Sequence, residues 1–313
     1  MRLLSGYHGP SLNDLRVYNT KEGLVSQVLS PGKFNTLHFG DIALDSSSCW
    51  LTGLVAKNAR SLKNLKLGRE RQLATGKMRG DRALARDKVV EFTTEICEGL
   101  LKAGEGLENS YDQNSGGPIS QTLLSVNSFH LIGFDFTHFS KKGNPGLLDL
   151  DTLNPLTLES CFSGDGTLHL LSLTGSGSDT SWKPRLKTFV LRQESVTDTF
   201  NANLHTFFEA FSGLVHLSVL LEGPGQYLYP SCLIENHGTT LQTLVWEQRT
   251  GRQLVAGEST HTKGPASDKL AALISRRCPN LRELGLVMEP HLDGTRQTYT
   301  VYLHTSNVSE SFC

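Results

Sequence analysis

Two aspartates separated by one residue are the closest approach to a catalytic motif in the sequence. In Asp149-Leu150-Asp151-Thr152, two carboxylates stand where a phosphoryl-transfer enzyme would place a nucleophile and a general acid. That chemistry also needs a Thr or Val two positions after the second aspartate and an apolar strand before the first. Leu153 occupies the required position, and Gly143-Asn144-Pro145-Gly146 precedes the pair. We therefore predict that the two aspartates cap a structural repeat that starts at Leu153.

The other catalytic signatures are incomplete or missing from the sequence. The segment Gly175-Ser176-Gly177-Ser178 lacks the Lys and the helix of a phosphate-binding loop. The sequence contains neither a Gly-x-Ser-x-Gly elbow nor a His-Glu-x-x-His zinc motif. Eleven histidines are scattered, and His38 and His130 are expected on different repeats, too far apart to share a metal. The prediction is a protein without catalytic residues, cofactor or metal; a hydrolase with a triad assembled from distant residues is the remote alternative.

The cysteines and the N-terminus bear on the compartment. The six cysteines are Cys49, Cys97, Cys161, Cys232, Cys278 and Cys313. Their wide spacing, with no Cys-x-x-Cys pair, disfavours a zinc site or a disulfide scaffold, so we predict reduced thiols, two of them (Cys161 and Cys278) in repeat cores. The segment MRLLSGYHGP has no apolar run long enough for a signal peptide. A cytoplasmic or nuclear location without membrane association is expected.

Composition indicates which elements must carry these residues. The 313 residues have a net charge of −1, which disfavours a globally basic nucleic-acid binder. Leucine is in large excess, with 50 Leu against 6 Ile. Open parallel sheets of the dinucleotide-binding kind favour Val and Ile in their strands. The excess of Leu therefore predicts helices or a leucine-rich repeat.

One apolar pattern, apolar-x-x-apolar-x-apolar, recurs nine times. Its central residues are Leu15, Leu37, Leu65, Phe129, Leu156, Phe189, Leu217, Leu244 and Leu284. The gaps between them are 22, 28, 64, 27, 33, 28, 27 and 40 residues, and leucine-rich repeats are about 20–29 residues long. The last two apolar residues of each copy are two apart, so both face one side of a short strand. The sequence predicts an α/β leucine-rich-repeat solenoid, a horseshoe with irregular repeats and short parallel strands on its concave face.

We assign residues 1–313 to this single domain. The segments Asp198–Phe211 and Ser267–Arg277 are predicted helices. The 64-residue gap is either an insertion, at about residues 69–120, or a repeat too divergent to recognise. The tail, 291–313, is weakly defined, with a last strand expected at Tyr299–Leu303.

A basic stretch that runs into the insertion is followed by an acidic one. Residues 57–88 hold eleven Lys and Arg against three acids, and residues 91–112 hold six acids and one Lys. We interpret this as a solvated loop and helix whose charges screen one another. A basic patch for nucleic acid, phosphate or an acidic partner, or a nuclear-import signal, is the alternative. No aromatic residue interleaves the basic run, which disfavours nucleic acid.

The last repeat carries a resemblance to a known family. The segment Cys278-Pro279-Asn280-Leu281-x-x-Leu284-x-Leu286, preceded by a helix, resembles the leucine-rich repeats of F-box proteins, and the irregular spacing resembles their fungal branch. The resemblance covers about residues 12–290 and implies non-catalytic substrate recognition in F-box-type ubiquitin ligase pathways. No F-box is visible in the first 35 residues, so cullin-type ligase components are expected as partners only where an F-box is supplied elsewhere. The alternative is a leucine-rich-repeat scaffold or regulator with no ligase link.

The residues that alternate with the core positions are expected to meet a protein partner on the concave face. The candidates are Arg16, Tyr18, His38, Lys66, His130, Ile132, Glu159, Val190, Arg192, Leu220, Val245, Glu247 and Val287. The first three repeats contribute basic residues and the later ones apolar residues, which predicts an amphipathic partner. The alternative is that flanking loops cover the apolar residues. Tyr18, Arg16 and Arg192 are expected to contribute most to binding, because Tyr, Trp and Arg dominate interface energies.

Overall fold

The computed structural model describes most of the repeat pattern. The described residues are 13–20, 34–42, 48–59, 61–69, 91, 93–96, 125–134, 152–161, 168, 185–194, 196–223, 230–250, 267–288 and 299–304. The predicted aspartate cap (Asp149 and Asp151) and the loop at Gly175-Ser176-Gly177-Ser178 lie outside these residues, as does most of 69–120.

Ten strands form one open sheet whose spatial order is the chain order. They are β1 (Asp14–Thr20), β2 (Thr36–Ile42), β3 (Asn64–Arg69), β4 (Ser128–Ile132), β5 (Pro155–Glu159), β6 (Thr188–Glu194), β7 (His216–Gly223), β8 (Thr243–Thr250), β9 (Glu283–Met288) and β10 (Tyr299–His304). Strands β1 to β9 run parallel to one another, and β10 is antiparallel to β9. The predicted α/β class and the nine parallel strands are confirmed.

The nine central apolar residues form one line across the sheet. Each is the Cα partner of the next, from Leu15 in β1 to Leu284 in β9. All are buried except Leu284, which is half-buried. A slip of one residue in any strand would turn its core side chains to the opposite face, and full burial of one Leu is worth about 1.5–3 kcal/mol. The register is therefore set by the repeated apolar pattern.

A backbone ladder joins each unit to the next just before the strands. The carbonyl of Asn13 accepts from the N–H groups of Asn35 and Thr36, at 2.8 and 3.1 Å. The same double acceptance recurs at seven of the eight steps from β1 to β9. The exception is the step into β5, where the second donor would be Pro155, which has no N–H. Neighbouring units of different length are thus held at the same spacing where their strands begin.

Four helices with described bounds pack on the core face of the sheet. They are α1 (Ser48–Asn58), α2 (Asp198–Glu209), α3 (Ser231–His237) and α4 (Ser267–Arg277). The two predicted helices are confirmed as α2, which ends two residues earlier than expected, and α4. Thr197 caps α2 by accepting from the N–H of Phe200 at 3.2 Å. The rings of Phe207 and Phe208 in α2 pack on Phe189 in β6, with centroids 5.1 and 5.9 Å apart.

A buried asparagine at the end of α1 ties this helix to the preceding unit. Asn58 Oδ1 accepts from the N–H of Phe34 at 2.9 Å, and its Nδ2 donates to the carbonyl of Leu54 at 2.8 Å. Asn58 stands four residues before Leu62, the first apolar residue of the next copy. Phe34 is buried, so its backbone N–H needs a partner inside the protein. The Asn58 side chain supplies that hydrogen-bond acceptor.

His237 does the same at the end of α3. Its Nδ1 accepts from the N–H of Leu214 at 3.3 Å, and its Nε2 donates to the carbonyl of Phe208 at 3.1 Å. Like Asn58, it stands four residues before the first apolar residue of the next copy, Leu241. The side chain is fully buried, and burial lowers the pKa of His237 to about 4. The imidazole is therefore neutral at pH 7.

The 64-residue gap is an insertion with respect to the sheet. Strand β3 pairs directly with β4, with Leu65 opposite Phe129, so no strand of the described chain lies between them. Residues 93–96 are helical, and Thr93 and Ile96 are buried. The alternative of a divergent repeat that adds a strand is wrong at this point of the sheet.

The tail and the cysteines agree with expectation where they are described. The strand expected at Tyr299–Leu303 is confirmed as β10, although its antiparallel direction was not predicted. The other residues of 291–313 lie outside the described chain.

Cys161 and Cys278 are buried as predicted, and with Cys232 they are free thiols. The side chains of Cys49, Cys97 and Cys313 lie outside the description.

Candidate functional site

Side chains that alternate with the core residues line the outer face of the sheet, on the side opposite the helices. In β4 and β5 the alternation is strict, with each buried residue between two half-buried ones. The middle row lies between the paired core positions and comprises Arg16, His38, Lys66, His130, Thr157, Val190, Ser218, Val245 and Gly285. The last row is two residues further on and includes Tyr18, Gly40, Gly68, Ile132, Glu159, Arg192, Leu220, Glu247 and Val287.

The structure brings the predicted site residues together on this face. All those in the middle row occupy one continuous register from β1 to β8. In the last row, Ile132, Glu159, Arg192, Leu220 and Glu247 occupy consecutive strands from β4 to β8. The backbones of Tyr18 and Val287 lie on β1 and β9, but their side chains are outside the described part of the structure.

Four basic residues on adjacent strands define a basic row: Arg16, His38, Lys66 and His130. Arg16 is exposed and the other three are half-buried. Burial, and then the charges of Lys66 and Arg16, lower the pKa of His38 to about 4, with a smaller effect of His130. His38 is therefore neutral at pH 7 and sits in a positive field. Within the described chain, neither Arg16 nor Lys66 forms a salt bridge with an acidic side chain.

A histidine–glutamate pair ends the basic row. His130 Nε2 and Glu159 Oε1 are 3.0 Å apart on neighbouring strands, and both side chains are half-buried. Burial and then Lys66 lower the pKa of His130, and Glu159 partly offsets them. Glu159 is thus engaged with His130, and it separates the basic row from the strands that follow.

Two glycines stand beside the basic row in the last row. Gly40 and Gly68 are neighbours on β2 and β3, because a Cβ built on Gly68 would lie 3.7 Å from Gly40 Cα. That Cβ would also lie 3.6 Å from Ile132 Cδ1. With no side chains at these two positions, a partner over β2 and β3 would meet chiefly the side chains of His38 and Lys66.

Three aliphatic side chains define an apolar patch at the other end of the face: Val190, Leu220 and Val245. They lie on β6, β7 and β8, and Ser218 is the register partner of both valines. Each of the three is half-buried. The alternative that flanking loops cover the apolar residues stays a prediction.

Arg192 lies between Glu159 and Leu220 in the last row. Its side chain is half-buried, and its Nε is buried without a hydrogen-bond acceptor among the described residues. A buried donor without a partner costs about 1–3 kcal/mol.

A third row of outer-face residues was missed by the sequence analysis. This first row stands two residues before the middle row and comprises Asp14, Thr36, Asn64, Ser128, Pro155, Thr188, His216, Thr243 and Glu283. Thr243 donates its hydroxyl hydrogen to Glu283 Oε2 at 3.2 Å, so it accepts from His216 Nδ1, also at 3.2 Å. Strand alternation alone would have identified this row.

Metal-ligand clusters and membrane-spanning helices are not found among the described residues. No three His, Cys, Asp or Glu side chains of this part of the chain lie close enough to hold a metal ion. His38 and His130 are two strands apart, with Lys66 between them. No helix among the described residues is long and apolar enough to span a membrane.

Comparison with known proteins gives no relative. A scan against protein-family models, a search of curated proteins and a search of solved structures found no match.

Proposed function

We propose that the chain is a leucine-rich-repeat solenoid that binds a partner protein on the outer, concave face of its parallel sheet. Following the resemblance of its last repeat, the bound protein is a substrate of an F-box-type ubiquitin ligase, and the chain itself performs no catalysis. Cullin-type components join the complex through an F-box supplied elsewhere.

One observation supports protein binding above the others. The middle row is a single register across nine strands, with basic side chains on β1–β4 and valines on β6 and β8. The core residues on the opposite face, rather than this row, are what stabilise the fold. A long surface with charged and aliphatic portions matches the extended binding faces of repeat proteins.

Repeat identity is supported by the way the units stack. Each of β1 to β9 contributes one strand, and each unit contacts the next through the same apolar line and the same backbone ladder. One such unit cannot bury its apolar face alone, whereas stacked units can. The unit lengths of 27 or 28 residues at four of the eight steps fall in the leucine-rich-repeat range, about 20–29 residues.

The test is affinity purification of the tagged chain from its own cells, with the proteasome blocked, read by mass spectrometry. The variant Val190→Asp/Val245→Asp places two charges in the apolar patch. The matched control, Ala202→Asp/Ala271→Asp, makes the same change at exposed positions on α2 and α4. We expect the patch variant to lose its partners by at least about tenfold and the control to keep them, because burying an unpaired charge in an interface is costly.

Both variants must retain the circular dichroism and unfolding midpoint of the parent chain. Equal partner recovery by the patch variant would show that the outer face is not the binding site. Recovery of a cullin and its adaptor together with patch-dependent proteins supports the ligase role. Patch-dependent proteins without ligase components would support the scaffold alternative and overturn the ligase role.

A further inference from the structure

On the outer face of β1–β4, the two cations of the middle row, Arg16 and Lys66, outnumber the one acid described in the first row, Asp14. Arg16 and Lys66 carry full charges and lie two strands apart, roughly 10 Å at the usual strand spacing. His38 lies between them and is neutral at pH 7, so it adds no third charge. The nearest acid on the later strands, Glu159, is already engaged by His130.

One feature favours a protein over a nucleic acid as the source of the anionic groups. The apolar patch lies in the same register as the basic row. A protein segment can present carboxylates and aliphatic side chains in one stretch.

The register also sets the length of the segment. From β1 to β8 there are seven strand steps, which at the usual spacing of about 4.8 Å span roughly 34 Å. An extended chain rises about 3.3 Å per residue, so roughly ten residues cross this distance.

We infer that the partner presents an extended segment of roughly ten residues, with Asp and Glu side chains over β1–β4 and aliphatic side chains over β6–β8. This inference rests on the proposed function and specifies its ligand. Carboxylates accept from Arg16 and Lys66, and the aliphatic end packs on the apolar patch. Thr157 and Glu159 on β5 mark the boundary between the two halves.

The experiment is selection of a random twelve-residue peptide display library on the full chain. The variant Arg16→Glu/Lys66→Glu reverses the basic row. The matched control, Lys57→Glu/Arg276→Glu, makes the same charge change at exposed positions on α1 and α4. Peptides selected on the parent chain are expected to be acidic at one end and aliphatic at the other.

On the basic-row variant the acidic enrichment should disappear and the aliphatic enrichment should remain, while the control keeps both. One parent-selected peptide, measured by fluorescence anisotropy, should bind the basic-row variant at least about tenfold more weakly. An acidic excess that is missing on the parent chain, or that survives in the basic-row variant, would overturn the inference. A selection that yields no peptide would overturn it too.

These outcomes separate the inference from the proposed function. If the selected peptides lack acidic residues but their binding depends on Val190 and Val245, the proposed binding face stands and only the acidic specificity is refuted. If the Val190→Asp/Val245→Asp variant still recovers the cellular partners, the proposed binding face itself is refuted. Tight binding of a labelled single-stranded oligonucleotide that is lost in Arg16→Glu/Lys66→Glu would also overturn the inference, because the basic row would then serve nucleic acid.

Discussion

The most buried polar side chain of the repeats is His237, and its role is structural. It links α3 to the preceding unit through one accepted and one donated hydrogen bond. Two aromatic rings, Phe208 and Phe211, pack against the imidazole with centroids 6.1 and 4.9 Å away. The backbone carbonyl of Phe208 is the one polar group that counters the effect of burial on its pKa. The site therefore favours the neutral ring strongly.

The free energy of unfolding should depend on pH through this histidine. Its pKa is about 4 when folded and 6.5 in the unfolded chain, so the unfolded chain binds more protons between these values. The stability is full above pH 6.5 and falls as the pH drops toward 4, by up to about 3 kcal/mol. Urea unfolding of the parent chain and of His237→Asn at pH 7.5 and 4.5 measures it.

The asparagine variant should be less stable at pH 7.5 but should lose less on acidification, since an amide does not titrate. Other groups, including His38, titrate in both proteins and cancel in the comparison. Equal losses in the two proteins would show that His237 is not held neutral in the folded state.

The site residues were predictable at this scale, but their environments were not. Strand alternation places Lys66, His130 and Val190 on one face from the sequence alone. The low pKa of His38 and the pairing of His130 with Glu159 depend on residues about one repeat away in the chain. Those contacts depend on which residues the strand pairing brings together, so no local sequence pattern predicts them.

At the scale of elements, α3 and α4 approach each other most closely at a glycine. Gly238 follows α3, and a Cβ built on it would collide with the carbonyl oxygen of Ile234 and lie 2.6 Å from that of Arg277 at the end of α4. Its φ of −52° is ordinary, so the requirement is space between units rather than backbone conformation. Any side chain at this position would push the two helix ends apart.

Gly238→Ala is therefore expected to destabilise the chain by about 1–3 kcal/mol, because both obstacles are backbone atoms that cannot rotate away. Gly53→Ala is the matched control. It lies inside α1 with nothing within 4 Å of a new Cβ, so it should stabilise by about 0.5–1 kcal/mol. Chemical denaturation measures both. A neutral Gly238→Ala would mean that α3 and α4 can separate without cost.

The strands were predictable and half of the helices were not, for a physical reason. Each of β1 to β9 carries the same apolar triplet, whereas the segments between them share no pattern. α4 has a clear apolar stripe, but α1 contains Thr52, Gly53 and Val55, which are poor helix formers. α3 is only seven residues long, so its helical period is too short to recognise. Both depend on packing against the sheet rather than on local propensity.

At the scale of the molecule, β10 closes the end of the parallel sheet. It pairs with all six residues of β9 in the antiparallel direction. An unpaired edge strand presents free N–H and C=O groups on which another chain can pair. The tail therefore protects the last repeat.

A chain that ends at Met288 should self-associate through the outer edge of β9. A chain that ends at His304 keeps β10 and is the control, expected to match the full chain. Light scattering coupled to gel filtration at equal concentrations measures the masses. A truncated chain with the same mass as the control would show that β10 is not needed to block the edge.

The strand order has a consequence for how such a chain can change over generations. Each of β1 to β9 pairs only with the strands before and after it in the chain. Duplication or loss of one whole unit would therefore leave every other pairing intact, just as the long connection between β3 and β4 leaves their own pairing intact. The outer face could thus be lengthened or shortened one strand at a time, while the basic row and the apolar patch diverge independently.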